Sequence, residues 1–595
     1  ASFDEQAPWR PAKENGGAEQ GASAELDRGL SINGQVYAGQ LRLSWTFSRE
    51  VFNPQTVQRL ADAYALELQQ LIEHCLGGAG GLTPSDVPLV HVDQAQLDAL
   101  PLAASQIQDI LPLSPMQQGM LFHSLFAPEA GAYVPQMRVD VQGLDVEAFG
   151  NPWQQALARE EVLRAAFLSV SNSSRPLQVI LAEATLPMSL LDWRDRADLP
   201  QALERLAEDD RLRGFDLTAA PLLRLTLVQT ADDSHHLIFT NHHILLDGWS
   251  TSQLFGEVLQ RYSGVMPAPG VGRYRDYMSW LGTRDRVACE AFWLEQLHSF
   301  AEPTRLAGAL PAPVAGQGGG HRTVHLSLDR AATERLSGFA RQARVTPNTL
   351  LQAAWLLILQ RYTGQSTVAF GATVSGRPSE LQGIEQQIGL FINTLPVIAT
   401  PHPERTVSQW IDEVLALNLK LREVEYTPLA DVQRWAGNAG EALFDTLLVF
   451  ENYPVAQALE EGNSSALKFS GIRHHDQTSF ALAIAAELGE CLDLRFNYDT
   501  ALFSAEAIDG LSARLLALLD AMVSAPQQPL GRLNLLDAAQ TTRQVEGFNR
   551  TAQTWAEVRP VYQCFEAQAL QTPEAPALVF AGQTLSYRQL NQQAN

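Results

Sequence analysis

The feature that most constrains the fold is a repetition. Residues 41–68 and 492–519 align without a gap at a constant offset of 451, Leu41 falling on Leu492. Leu41, Leu43, Trp45, Phe47, Val51, Phe52, Val57, Leu60 and Leu68 each meet an apolar residue. In the first copy Leu41 to Phe47 alternate strictly, which reads as a strand with one apolar face. Phe52-Asn53-Pro54 then opens a helix with proline in its first turn. Val57, Leu60, Ala61, Tyr64, Leu68, Leu71 and Ile72 give that helix one buried side, and Gly77–Gly81 ends it. In the second copy Leu492, Leu494, Phe496 and Tyr498 alternate, and a helix follows Ser504 with Ile508, Leu511, Leu515, Leu519 and Met522 inward. Nine matched apolar positions over 28 residues favour common descent over chance. The chain therefore holds one whole domain that closes with this unit, and the closing piece of a second, related domain whose body lies upstream.

The 595 residues exceed one ordinary core and suggest three to five folding units. An apolar content of 46% with 18% charged residues is globular. A net charge of −24 argues against nucleic acid or anionic membrane as partner. Cys75, Cys289, Cys491 and Cys564 are far apart and form no CxxC pair, which speaks against a disulfide framework or zinc site and fits a reducing cytoplasm. No apolar run reaches the roughly 18 residues of a membrane span, and no signal peptide is visible. The chain does not begin with Met and reads as a piece of something longer. Residues 1–30 are polar and Gly-, Ala- and Glu-rich, a loop or linker. Residues 77–105, with Thr83-Pro84-Ser85-Asp86 and Val87-Pro88, read as connecting chain, and Ala307–Gly320 divides two lobes.

The chemistry centres on His242-His243-Ile244-Leu245-Leu246-Asp247-Gly248. The run from His235 to His243 is β-prone and reads as a buried strand. Neighbouring strand side chains point to opposite faces, so His242 and His243 cannot share one cavity while the strand is regular. One is held in the scaffold and the other is free to act. A helix follows, with Ser250 and Gln253 as a capping box and Leu254, Phe255, Val258, Leu259 and Tyr262 as its apolar stripe. Gly248 lets the backbone bend and leaves room beside the histidine. Histidine is suited to take a proton from an amine or hydroxyl near neutral pH. Metal binding is disfavoured because only Asp247 stands near as a further ligand. Core histidines without chemistry are the blander reading.

An ordered series of motifs surrounds this one. Leu111 to His123 includes Ser114-Pro115-Met116-Gln117, a capping box with proline at the first helical position. Arg159-Glu160-Glu161-Val162-Leu163-Arg164 follows, then Phe215-Asp216-Leu217 and Pro221 to Arg224. Tyr274 to Trp280, Ser375-Gly376-Arg377-Pro378, Ile388 to Pro396, Phe444-Asp445 and Val449 to Pro454 complete it. In content and order, over about 430 residues, the series resembles the condensation domains of nonribosomal peptide synthetases, with Glu160 where that family often has His.

The resemblance implies an α/β fold of two chloramphenicol-acetyltransferase-like lobes in a V-shaped pseudo-dimer, with the active site in a tunnel between them. It implies His243 as the catalytic residue and His242, Asp247 and Arg377 as structural, Asp247 pairing with Arg377. Gly248, Trp249, Asn393 and Ser479 would line the substrate tunnel. No metal or diffusible cofactor is expected; phosphopantetheine arrives on upstream and downstream peptidyl carrier domains. Residues 1–95 resemble the C-terminal fragment of an epimerization domain, which together with the opening motif implies a D-configured donor and an L-acceptor. Residues 96–106 form a linker, 107–300 the N-lobe, 301–538 the C-lobe and 539–560 a second linker. Residues 561–595 resemble the start of an adenylation domain. A cytoplasmic protein, monomeric as excised, is expected, with no nucleic-acid or membrane partner. Two alternatives stay open: an epimerization domain, which shares the His-His core, and a non-catalytic carrier-recruiting domain of the same fold.

Overall fold

A computed structural model describes residues 2–3, 29–37, 39–77, 81–126, 132–169, 176–268, 270–313, 319–437, 441–451, 467–536, 538–554 and 558–595. Most of the polar stretch 1–30, the spacer 314–318 and the end of the last motif, Asn452 to Pro454, lie outside them. The chain divides into two compact units. The first takes residues up to Ala301 together with Gly371–Pro396 and Leu421–Glu487; the second takes Glu302–Phe370, Val397–Lys420 and the residues from Leu488 on. The first break lies close to the lobe boundary suggested by composition, but two stretches of the second half belong to the first unit.

In the first unit, β1 (Leu30–Tyr37) and β2 (Gln40–Phe47) pair antiparallel and lead into α1 (Pro54–Leu76), capped by the Asn53 side chain. Next come β3 (Ile107–Leu111), α2 (Pro115–Phe126), β4 (Gln136–Gln142) and α3 (Val146–Arg159). They are followed by β5 (Ala165–Leu168), β6 (Leu177–Leu181), β7 (Met188–Asp192), α4 (Leu199–Leu212), β8 (Leu223–Ala231) and β9 (Ser234–Asn241). Two helices, α5 (Gly248–Tyr262) and α6 (Tyr274–Gly282), complete this run. The main sheet runs Lys468–His475, β4, β9, β8, β7, antiparallel except between β7 and β8.

The central position of β9 explains its near-continuous burial. On one face Phe239 stacks on Trp153 of α3 at 5.5 Å, and Phe255 of α5 meets that indole edge-on at 5.1 Å. On the other face Thr240 donates to Asp210 of α4 (2.6 Å), which Arg224 also holds (2.7 Å). Arg164 is spent on backbone carbonyls of Leu157 and Ala182 and on Gln108, a structural use.

The stretch read as linker differs from expectation. Residues 82–102 are ordered and pack Val87, Val90, Leu97 and Leu100 onto the three-stranded sheet β3–β6–β5, against Ile110, Leu177 and Val179. Asp93 and Gln96 form a capping box for the short helix Gln94–Asp98. Turn signals dominate the sequence here, yet the apolar residues between them are enough to bind the segment down.

In the second unit the strand His321–Leu328 pairs antiparallel with Leu492–Asp499. The helix Pro347–Thr363 is buried from Thr349 to Leu359 on all sides, which accounts for its lack of amphipathic period. The strand Pro576–Phe580 forms a hairpin with Gln583–Ser586. Among the described residues no helix is long and apolar enough to cross a membrane.

Candidate active site

Strand β9 ends at Asn241, so His242 and His243 lie just past it in the turn that leads to α5. Strand alternation therefore does not govern them; the turn does, and it separates them all the same. His242 is buried. Its backbone N–H donates to the Leu222 carbonyl (2.9 Å), and its Nδ1 accepts the N–H of Ile244 (3.2 Å). Nδ1 being an acceptor, Nε2 carries the proton and donates to Ser124 Oγ at 3.2 Å. Burial first, and the neighbouring His243 second, push this imidazole down to about 3. Both ring nitrogens are thus bonded within the fold, and the ring is held neutral.

His243 is only half-buried. Its N–H donates to the carbonyl of Tyr133 (2.8 Å), while its Nδ1 is shielded from solvent and has no hydrogen-bond partner among the described residues. Tyr133 itself is bound at three points. Its N–H donates to Gln477 O (3.0 Å), its carbonyl holds His243, and its hydroxyl meets Ser479 Oγ at 2.7 Å. It sits at φ 63°, a region that costs a non-glycine residue energy and persists only where surroundings enforce it. Burial raises its phenol above the usual range.

Asp247 is the N-cap of α5. This replaces the expected Ser250–Gln253 box: a carboxylate three residues before the Ser250 N–H takes that donor (2.7 Å), and Ser250 lies inside the helix. The other carboxylate oxygen accepts the Phe391 N–H (3.0 Å), and Arg377 Nη2 donates to the first at 3.3 Å. Arg377 also donates to Ser250 Oγ (2.8 Å) and Gln387 O (3.0 Å), with its guanidinium 4.1 Å over the Phe391 ring. Ser250 Oγ donates to Gly389 O (2.7 Å) and accepts the Gly389 N–H (3.1 Å). Both carboxylate oxygens are engaged inward, so Asp247 braces the turn.

Gly376 stands at φ 60°, and a Cβ there would overlap the Phe391 carbonyl oxygen; only glycine lets Arg377 enter this loop. Gly248 is the first residue of α5, directly after the histidine turn, and its backbone is not left-handed. Trp249 is half-buried, with Nε1 donating to Glu385 O (2.7 Å). Asn393 is buried and spends both amide hydrogens on Glu425 O (2.8 Å) and Thr427 O (2.7 Å). Ser479 is exposed, on Tyr133. The Ser114–Gln117 box forms, and Gln117 Nε2 also reaches Ile244 O (3.2 Å), tying α2 to the histidine turn. Sequence reasoning missed Tyr133, Ser124 and Phe391. The first two carry no local signal, and Phe391 sits inside a motif without a role of its own there. Among the described residues no cluster of three or more His, Cys, Asp or Glu side chains is arranged to hold a metal.

The condensation domain family model matches residues 107–545, a span that includes this turn. The chain belongs to the condensation domain family. This condensation domain is 36% identical over 605 residues to a linear gramicidin synthase chain of Brevibacillus parabrevis, covering 98% of this chain and 12% of that protein. It is 31% identical over 599 residues to bacitracin synthase 3 of Bacillus licheniformis, covering 97% and 9%. The chain thus spans about a tenth of these relatives. The first condensation domain of the calcium-dependent antibiotic synthetase, solved with a substrate analogue, superposes at TM-score 0.60 over 72% of this chain and 99% of that one at 18% identity. A four-domain nonribosomal peptide synthetase superposes at 0.66 over 82% and 38% at 19% identity. Both share the mixed α/β fold of the condensation domain.

Proposed function

We propose that the chain forms peptide bonds between two carrier-bound substrates, with His243 as its catalytic residue. The observation that carries this reading is the contrast within the His-His pair: His242 is locked and neutral, while His243 keeps a half-buried ring on a braced turn. The α-amine of an aminoacyl thioester attacks the carbonyl carbon of a peptidyl thioester. The C–N bond forms, the C–S bond breaks, the amine proton leaves, and the released thiol stays on the donor's phosphopantetheine arm. His243 orients the amine, accepts its proton or stabilises the tetrahedral oxyanion. Gly248, Trp249, Asn393 and Ser479 border the path of the two arms. Phosphopantetheine is substrate here, brought by carrier domains.

The flanks refine the reading. The part of residues 1–95 that lies before the packed strap is taken as the end of an epimerization domain and 561–595 as the start of an adenylation domain, so the donor ends in a D-residue. In a reconstituted assay with both carriers, His243→Ala should lower the condensation rate by about 10²-fold or more, and D-terminated donors should react faster than L-terminated ones. An unchanged rate in the variant would remove His243 from the chemistry; equal rates for the two donors would remove the stereochemical claim.

A further inference from the structure

His243 is the last rung of a ladder that outruns its strands. The register that pairs Thr240 of β9 with Gln136 of β4 sets Asn241 opposite Pro135 and His243 opposite Tyr133. The bonds follow that register. Asn241 N–H donates to Pro135 O at 3.3 Å, and His243 N–H donates to Tyr133 O at 2.8 Å. On its other side the Tyr133 N–H donates to Gln477 O at 3.0 Å. Tyr133 is thus the middle of a row of peptide groups that ends on the histidine. Its backbone is left-handed, φ 63°, a conformation that a tyrosine keeps only under constraint.

The constraint comes from the segment that follows the strand Lys468–His475. Gln477 O fixes the Tyr133 N–H, and Ser479 Oγ lies 2.7 Å from the Tyr133 hydroxyl. The ring between these two tethers is buried and tilted against His123 of α2, 6.3 Å between centroids. A bulge sets which residues arrive there. Ser470 pairs with Asp140 and Arg473 with Arg138, so the strand holds one residue more than β4 over this stretch. Gly471 in the bulge stands at φ 62°, and a Cβ on it would lie 2.7 Å from Asp140 Oδ2. The other oxygen of that carboxylate is on His236 Nδ1 at 2.6 Å. A slip of one residue turns the side chains of a strand to the opposite face, so the bulge decides which residue beyond the strand meets Tyr133.

We infer that Tyr133 is a positioning residue for His243, and that Ser479 is the anchor that keeps it in place. The inference rests on His243 as the catalytic residue and adds the pair that aims it. Among the described residues the tyrosine hydroxyl hydrogen-bonds to Ser479 alone, so its action on the reaction runs through the backbone of the histidine. With the hydroxyl pair broken, less opposes the return of Tyr133 to an ordinary backbone conformation. That return carries its carbonyl away from the His243 N–H and frees the turn on which the ring is mounted.

The test keeps the full chain with both carriers and reads two quantities: exchange of the His243 amide, in protein labelled at histidine nitrogen, and the kinetics of condensation. Tyr133→Phe deletes one hydroxyl and Ser479→Ala the other, and neither adds bulk. In each variant the amide should exchange roughly tenfold faster and kcat should fall roughly tenfold at little-changed KM, the scale of one lost buried hydrogen bond. The double variant should be no worse than either single one, because both delete the same link. Unchanged exchange in both single variants overturns the inference. Losses that add in the double variant, or a loss carried by KM, overturn it as well, since the hydroxyls would then act on the substrate directly. Faster exchange with an unchanged rate counts against His243 as the catalytic residue and leaves its seating by Tyr133 standing.

Discussion

At the scale of residues, two adjacent histidines of the same chemistry are made different by one turn. His242 gives up both ring nitrogens to the fold, which fixes its tautomer and excludes its charged form. This has a pH consequence with a definite sign. The folded-state value lies below that of an unfolded histidine, so between about 6.5 and about 3 the unfolded chain binds the extra proton. Stability from this site is complete above pH 6.5 and is lost as pH falls through that window, by up to about 1.4 kcal/mol per pH unit. In His242→Gln, denaturant unfolding measured from pH 7 to pH 4 should show a shallower loss than the parent, from a lower starting stability. A parallel decline in both proteins would mean that His242 is protonated in the fold. Strand alternation is not what separates the two rings. Asn241 already ends the strand, and local hydrogen bonds in the turn decide what the period of two was asked to decide.

At the scale of elements, the histidine turn is braced by a loop from a distant part of the sequence. The Asp247–Arg377 pair expected from the resemblance is present, but it is one bond among several. Ser250, Gly389 and Phe391 supply the rest, and Gly376 makes room for them. Gly376→Ala should therefore cost more than ~1 kcal/mol, because the left-handed backbone and the Phe391 carbonyl both oppose a Cβ, and should lower condensation with it. Gly364→Ala is the matched control. That residue also has positive φ, 73°, as the C-cap of a helix, but nothing lies within 4 Å of its added carbon. It should lose stability by about 1 kcal/mol and keep its rate. Similar rates in the two variants would deny the loop its role. Helix starts marked by local chemistry, as at Ser114-Pro115 and Asn53-Pro54, were legible in the sequence. The cap at Asp247 was obscured by Ser250, an equally good capping residue that the fold uses elsewhere. Tyr133 was invisible, because its partners are remote in sequence and its φ is imposed by them.

At the scale of the whole molecule, the strap formed by residues 82–102 changes where the folding unit begins. A boundary at 107 leaves Ile110, Leu177 and Val179 without the cover of Val87, Leu97 and Leu100. Losing those contacts should cost at most ~4.5–9 kcal/mol, taking ~1.5–3 kcal/mol for each of the three large apolar side chains as an upper bound. A chain beginning at Leu82 should melt several degrees above one beginning at Ile107, as read by calorimetry. Equal melting temperatures would return the strap to the status of a linker. Composition pointed to connecting chain because Pro and Gly are frequent around it; burial of four scattered apolar residues has no period to detect.

The residues that hold His243 in place also set a timetable. The ribosome releases His243 long before Arg377, then Phe391, and last Gln477 and Ser479, which seat the residue holding its backbone. At ~5–20 residues per second, roughly 10–50 s separate the first of these from the last. Until then the turn lacks its brace and Tyr133 lacks its anchors. A chain released before Gln477 therefore carries both histidines without the contacts that seat Tyr133 beneath His243.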